Sequence, residues 1–203
     1  MIKESIIIWD FDGVILNSNE IRNKGFEEVL REFPKNQVDD LMSYHHKNGG
    51  LSRYVKFRYF FEKIRGEKIT EEEVIIWAKN FSGIVLKLLT DKNLINREVI
   101  SYIRDYYKTK TMHIVSASDQ NELRTICSII EIDKYFKSIH GSPTTKIINV
   151  KKLITLNDYN SDDVLLIGDS INDRDAAISN DINFSGYNNH KLKEFGNYIQ
   201  NFY

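Results

Sequence analysis

Apolar positions in this chain recur in two rhythms, and the change from one to the other divides it. Ile6-Ile7-Ile8-Trp9 is a short unbroken apolar run, rich in β-branched residues and closed by Asp10-Phe11-Asp12-Gly13. Its length and flanks predict a strand buried on both faces and ended by a turn. From about residue 19 to 90 the spacing is helical. The expected pieces are Asn19 to Phe33, stopped by Pro34, then Gln37 to His46, Leu51 to Arg65, and a helical pair from Glu71 to Leu89. Thr70 with Glu73 three residues on reads as a capping box, and Tyr54, Phe57, Phe61 and Ile64 fall on one helical face as candidate core.

Beyond residue 90 short apolar runs alternate with helical patterns. Helices are expected at Arg97 to Tyr107, Asp119 to Ile130, Lys146 to Leu156 and after Asn172; strands at Met112 to Val115, near Ser138-Ile139, at Val164 to Ile167 and at Ile182 to Phe184. Such alternation predicts an α/β fold with a parallel sheet covered on both faces by helices. The expected architecture is a Rossmann-like core made of residues 1–17 and 91–203, interrupted after its first strand by an all-α insertion at 18–90.

Composition narrows the function. A chain of 203 residues, 41% hydrophobic, can bury a full core. Its 28 basic and 29 acidic residues nearly cancel, so the electrostatic footprint of a nucleic-acid-binding protein is missing. No apolar run approaches the ~18 residues of a membrane span, and the first apolar stretch is too brief for a signal peptide, which makes the cytoplasm the default expectation. Cys127 is the only cysteine, which excludes an intrachain disulfide and a Cys-cluster zinc site. A monomer or weak homodimer is expected.

In open parallel sheets, ligands collect beyond the carboxyl ends of the strands. There the chain offers Asp10 and Asp12 after the first strand, Ser116 and Ala117 after a second, and Gly168-Asp169-Ser170-Ile171-Asn172-Asp173 after the strand at 164–167. Lys146, behind Gly141-Ser142-Pro143-Thr144-Thr145, opens a helix between them. Each alone has an ordinary reading, as a surface-turn aspartate, a helix cap or a solvated lysine. Together they supply what phosphoryl transfer needs: a nucleophile, cations for the non-bridging oxygens, and a proton for the leaving oxygen. Asp10 is the candidate nucleophile and Asp12 the acid and base. Ser116, the Ala117 backbone and Lys146 are candidates to hold phosphate oxygens. Up to four carboxylates in one cleft call for a hard cation, and magnesium suits a site with few protein ligands.

These segments resemble the haloacid dehalogenase (HAD) superfamily. Asp10-Phe11-Asp12-Gly13-Val14 is similar to its first motif, Ile114-Val115-Ser116 to its second, Lys146 behind Gly141-Ser142-Pro143 to its third, and Gly168 to Asp173 to its fourth. The position and helical character of residues 18–90 resemble the C1 cap of the phosphoglycolate phosphatase and β-phosphoglucomutase branch. The resemblance implies a magnesium held by Asp10, the Asp12 backbone carbonyl and Asp169, with Asp173 as a direct or water-mediated ligand, and, because Asp12 is present, phosphatase or phosphomutase chemistry on a small phosphorylated metabolite such as a sugar phosphate or a phosphoglycolate-like acid. A sugar phosphomutase and a non-catalytic binding module are the rival expectations. Leu16-Asn17-Ser18 departs from the family's usual continuation of the first motif. Gly50-Leu51-Ser52-Arg53 is similar to a β-phosphoglucomutase segment whose arginine contacts the substrate's non-reacting phosphate. Arg53 is therefore a substrate-contact candidate, together with His45, His46 and Lys56; Lys47 completes this basic patch.

Overall fold

β1 (Ile6–Trp9) sits at the centre of the sheet, with parallel neighbours on both edges. The computed structural model describes residues 2–203. Five parallel strands run in the order β3-β2-β1-β4-β5, with β2 at Thr111–Asp119, β3 at Ser138–Ser142, β4 at Val164–Gly168 and β5 at Asn183–Gly186. Alternation along β1 explains why its run is wholly apolar. Ile7 and Trp9 join Ile100 and Ile103 of α5 (Arg97–Tyr106) and Leu123 and Ile126 of α6 (Gln120–Ile129), while Ile6 and Ile8 join Val150 and Leu153 of α7 (Lys146–Asn157) and Ala176 and Ala177 of α8 (Ile171–Ile178). This is the expected α/β, Rossmann-like sheet with helices on both faces.

Four helices fill the stretch between β1 and α5: α1 (Asn19–Val29), α2 (Lys35–Lys47), α3 (Arg53–Tyr59) and α4 (Glu71–Leu89). Phe26, Phe57 and Phe81 pack ring against ring inside this block, and its interior is continuous with the Trp9 side of the sheet. Several expected boundaries shift for identifiable reasons. The expected pair from Glu71 to Leu89 is one helix, because Ala78, Phe81, Val85 and Leu89 form a buried stripe that runs unbroken past Ser82-Gly83; the Thr70–Glu73 capping box is present. Pro34 is the N-cap of α2, where its missing N–H forfeits no helical bond. α3 passes into a π-helical turn at Phe60–Ile64, whose extra residue turns Phe60 inward beside Phe57 and Phe61. β2 continues past Val115 through a register shift to Asp119, so Ser116, Ala117 and Ser118 lie within its irregular end and Asp119 caps α6.

The chain leaves and re-enters the sheet layer side by side. Asn17 N–H donates to Leu94 O (2.8 Å), Asn96 N–H to Ile15 O (2.9 Å), and Leu16 bridges antiparallel to Ile95. No helix of the described residues is long and apolar enough to cross a membrane.

Candidate active site

Asp10 follows β1 directly and its N–H donates to Ile167 O of β4 (2.9 Å), which carries it to the rim of the sheet. Phe11 turns into the core, so Asp10 and Asp12 leave the chain on the cleft side. The turn closes when Ile15 and Leu16 N–H both donate to Phe11 O, and Gly13 adopts a positive φ of 80° within it. That glycine is needed twice over, since a Cβ there would lie 2.0 Å from Asp169 Oδ2.

Lys146, buried in the first turn of α7, reaches Asp10 Oδ1 at 2.8 Å and also bonds Asp173 Oδ1. The other oxygen of Asp173 closes the N-terminus of α8, accepting from Ser170 N–H (3.0 Å) and Ser170 Oγ (2.7 Å). A carboxylate oxygen from each of Asp10, Asp169 and Asp173 lies within 4.8 Å of the others. Burial, then the neighbouring Asp173 charge, pushes the Asp10 carboxyl well above its ordinary range, though Lys146 opposes this. The same two causes raise Asp169 to about 7. Lys146 itself is held charged: burial works against it, but Asp10 and Asp173 outweigh that. One lysine thus serves three converging carboxylates. A hard divalent cation with oxygen ligands fits this donor set, and the bare Cα atoms of Gly13 and Gly168 are what let Asp169 and Asp173 approach so closely.

Asp12 occupies a different environment. Its carboxylate accepts from Arg22 Nε at 3.0 Å and from the hydroxyls of Ser18 and Ser118. Burial alone would raise its pKa, but the Arg22 charge and the two serine hydroxyls hold it below the ordinary range. Ser116, buried, accepts from Ser118 N–H at 3.1 Å and faces the cleft with Ala117. The cleft has a volume of about 570 Å³ and is walled by Asp10, Asp12 and Asp169 below, by His45, His46, Lys47 and Gly50 of the helical block above, and by Lys191 and Phe195 at the side.

The basic patch is not one surface. His46 and Lys47 face the cleft; His45 also borders it, but is buried, and its Nε2 bonds Asn23 Oδ1 at 2.9 Å. Burial and the Lys56 charge depress the His45 imidazole to about 3, so the ring is neutral. Lys56 is buried with its Nζ on Gly49 O (3.1 Å), and burial lowers it to about 7. Arg53 does not border the main cleft: its guanidinium is paired with Glu122.

Several residues around the site were not anticipated. Ser18, Arg22 and Ser118 surround Asp12, and Glu122 pairs with Arg22 behind it. Asn189 Nδ2 donates to Asp169 O (2.7 Å) and Asn188 Nδ2 to Gly13 O (2.8 Å), so the segment after β5 ties both acidic loops together. One readable signal existed, because Arg22 and Glu122 each stand four residues before a core residue, Phe26 and Ile126, on an otherwise apolar helix face.

The haloacid dehalogenase-like hydrolase family matches residues 7–187. Among solved structures, the chain is similar to β-phosphoglucomutase from Clostridium difficile (17% identity, TM-score 0.77, covering 98% of this chain and 91% of that one). It is also similar to CbbY from Rhodobacter sphaeroides in complex with xylulose-(1,5)bisphosphate (10%, 0.77, 98% and 95%). A third is a predicted phosphoglycolate phosphatase from Haemophilus somnus 129pt (17%, 0.71, 92% and 86%). No curated protein matches the sequence. The family match begins within β1 and ends one residue past β5, so it reaches all five strands and every acidic loop at the rim of the sheet: this chain belongs to the haloacid dehalogenase-like hydrolases.

Proposed function

We propose that the protein is a magnesium-dependent phosphoric monoester hydrolase acting on a small phosphorylated metabolite through an aspartyl-phosphate at Asp10, with residues 18–90 as a cap over the catalytic core of 1–17 and 91–203. The observation that carries this reading is the convergence of Asp10 with Lys146, Asp169 and Asp173 at one end of a cleft that Asp12 and Ser116 also face. Asp10, Asp169, Asp173 and the Asp12 backbone carbonyl would hold magnesium, which supplies positive charge beside the phosphate oxygens. An Asp10 oxygen attacks phosphorus, the bond to the leaving oxygen breaks, and Asp12 donates the proton that this oxygen takes up. Water then attacks the aspartyl-phosphate, surrendering its proton to Asp12 as the bond to Asp10 breaks. The ionised Asp12 of this structure is in the form that the second step requires. Lys146, Ser116 and the Ala117 N–H hold the phosphate oxygens. The walls contributed by His46, Lys47 and Lys191 suit an anionic metabolite.

Phosphate release from a panel of sugar phosphates and phosphorylated acids, with magnesium and with EDTA, tests the reading. Metal-dependent release that falls at least a hundredfold in Asp10→Asn is expected. Interconversion of sugar phosphate isomers without release would replace it with a phosphomutase, and silence in both assays with a binding module.

A further inference from the structure

Arg53 stands in the first turn of α3 and Glu122 in the first turn of α6, 69 residues further along the chain, yet they meet edge to edge. Arg53 Nη1 donates to Glu122 Oε2 at 2.7 Å and Nη2 to Oε1 at 2.6 Å; Nη1 also donates to Ser82 Oγ at 2.6 Å, and the guanidinium lies 4.4 Å from the Phe81 ring centroid. Both residues are 4% exposed. Glu122 accepts from Arg22 as well, which links it to Asp12. One residue on from Arg53, Tyr54 Oη donates to Asp119 Oδ2 at 2.6 Å. The first turn of α3 therefore rests on two carboxylates from the sheet side. Behind Asp12 the remaining cavity is about 60 Å³, roughly the volume of two waters, and it borders Arg22, Arg53 and Lys56.

Resting on the phosphatase reading above, we propose that Glu122 is a specificity-determining residue: it occupies the face of Arg53 that would otherwise receive an anion, so the enzyme favours substrates whose only phosphate is the one transferred. A second phosphate reaching past Asp12 would enter the space bordered by Arg22, Arg53 and Lys56 and find the Nη1–Nη2 edge of Arg53 already held by Glu122. Like charges in so small a space repel, and the bidentate pair withholds the Nη1–Nη2 edge of Arg53 that would otherwise compensate. Removing the Glu122 charge changes the balance. The cluster of Arg22, Arg53 and Lys56 would then face Asp12 alone, and Arg53 would present an open fork to an incoming dianion.

The test compares kcat/KM for glucose 6-phosphate and glucose 1,6-bisphosphate in the wild type, in Glu122→Gln, and in the apolar double variant Glu122→Leu with Arg53→Met. The wild type is expected to favour the monophosphate by about tenfold or more. Glu122→Gln should shrink that preference at least tenfold, through a lower KM for the bisphosphate, and the double variant, which has no fork to offer, should not. A wild type that handles the bisphosphate equally well overturns the proposal, as does a Glu122→Gln preference within about twofold of wild type. Calorimetric binding of both sugars in an Asp10→Asn background reads the same ratio without turnover, so loss of the phosphatase reading and loss of the filter are separable. Should Glu122→Gln fail to fold, Glu122→Asp, whose shorter arm must release one edge of the guanidinium, is expected to give an intermediate shift, and an unchanged ratio there sinks the idea.

Discussion

Gly13→Ala puts one methyl group where the structure has no room for it. An added Cβ would stand 2.0 Å from Asp169 Oδ2, 2.7 Å from its Cγ and 2.9 Å from Asn19 Nδ2, at a backbone φ of 80°. The left-handed conformation costs a non-glycine residue about 1–2 kcal/mol, and a contact this short adds about 1–3 kcal/mol of overpacking. To reach an ordinary separation the Asp169 carboxylate must retreat by over ~1 Å, half the 2.0–2.1 Å length of a magnesium–oxygen bond, which octahedral geometry does not absorb. The expected result in urea unfolding is a loss of about 2–5 kcal/mol without metal, and loss of most of the stabilisation that millimolar magnesium confers on the wild type by mass action. Gly83→Ala is the control. Its Cβ meets nothing within 4 Å in the interior of α4, and it should stabilise by about 0.5–1 kcal/mol. A Gly13→Ala protein with wild-type stability and an undiminished magnesium response would refute the argument that this turn sets the position of Asp169.

Lys146→Met leaves Asp10, Asp169 and Asp173 converging without their lysine, so stability in EDTA should fall by about 3–5 kcal/mol, with part restored by magnesium; unfolding curves that superimpose on wild type would contradict this. The neutral His45 carries a pH signature. Its folded pKa lies near 3, below the unfolded 6.5, so no penalty exists above pH 6.5 and stability is lost as pH falls below it, by about 2 kcal/mol at pH 5. Asp169, raised to about 7, acts in the opposite sense, its penalty easing as pH falls through 7 toward 4. The His45 contribution is therefore read as a difference: between pH 7 and pH 5, His45→Gln should lose about 2 kcal/mol less than wild type, and equal losses would dismiss the assignment.

Much of the fold was legible because it rests on local pattern. A short, β-branched apolar run closed by a turn reads as a strand with two covered faces, and Ile6 to Trp9 is one, split between two cores as its alternation requires. The acidic loops were legible for a related reason, since each ends an apolar run and the sheet brings those ends together. What stayed hidden depends on pairing across distance. Arg53 reads as a free cation in the sequence, and only the fold shows Glu122 against it. His45 beside His46 and Lys47 looks like surface charge, but packing against Phe26 makes it a neutral interior ring. The expected pair between Glu71 and Leu89 is a single α4 because the buried stripe that holds it together belongs to tertiary packing.

The narrow neck at Leu16 and Ile95 bears on how the chain can find its fold. Pairing Ile6 with Thr111 joins residues 105 positions apart. Once α1 to α4 have condensed and the Leu16–Ile95 bridge has formed, 79 of those positions are bypassed, and the loop still to be closed is only about a quarter as long. On the logarithmic dependence of closure entropy on length, that lowers the remaining penalty by about 1 kcal/mol. Inserted helices that look like a kinetic burden on the parallel sheet thus act as a splint, delivering the second strand to the first across a short span.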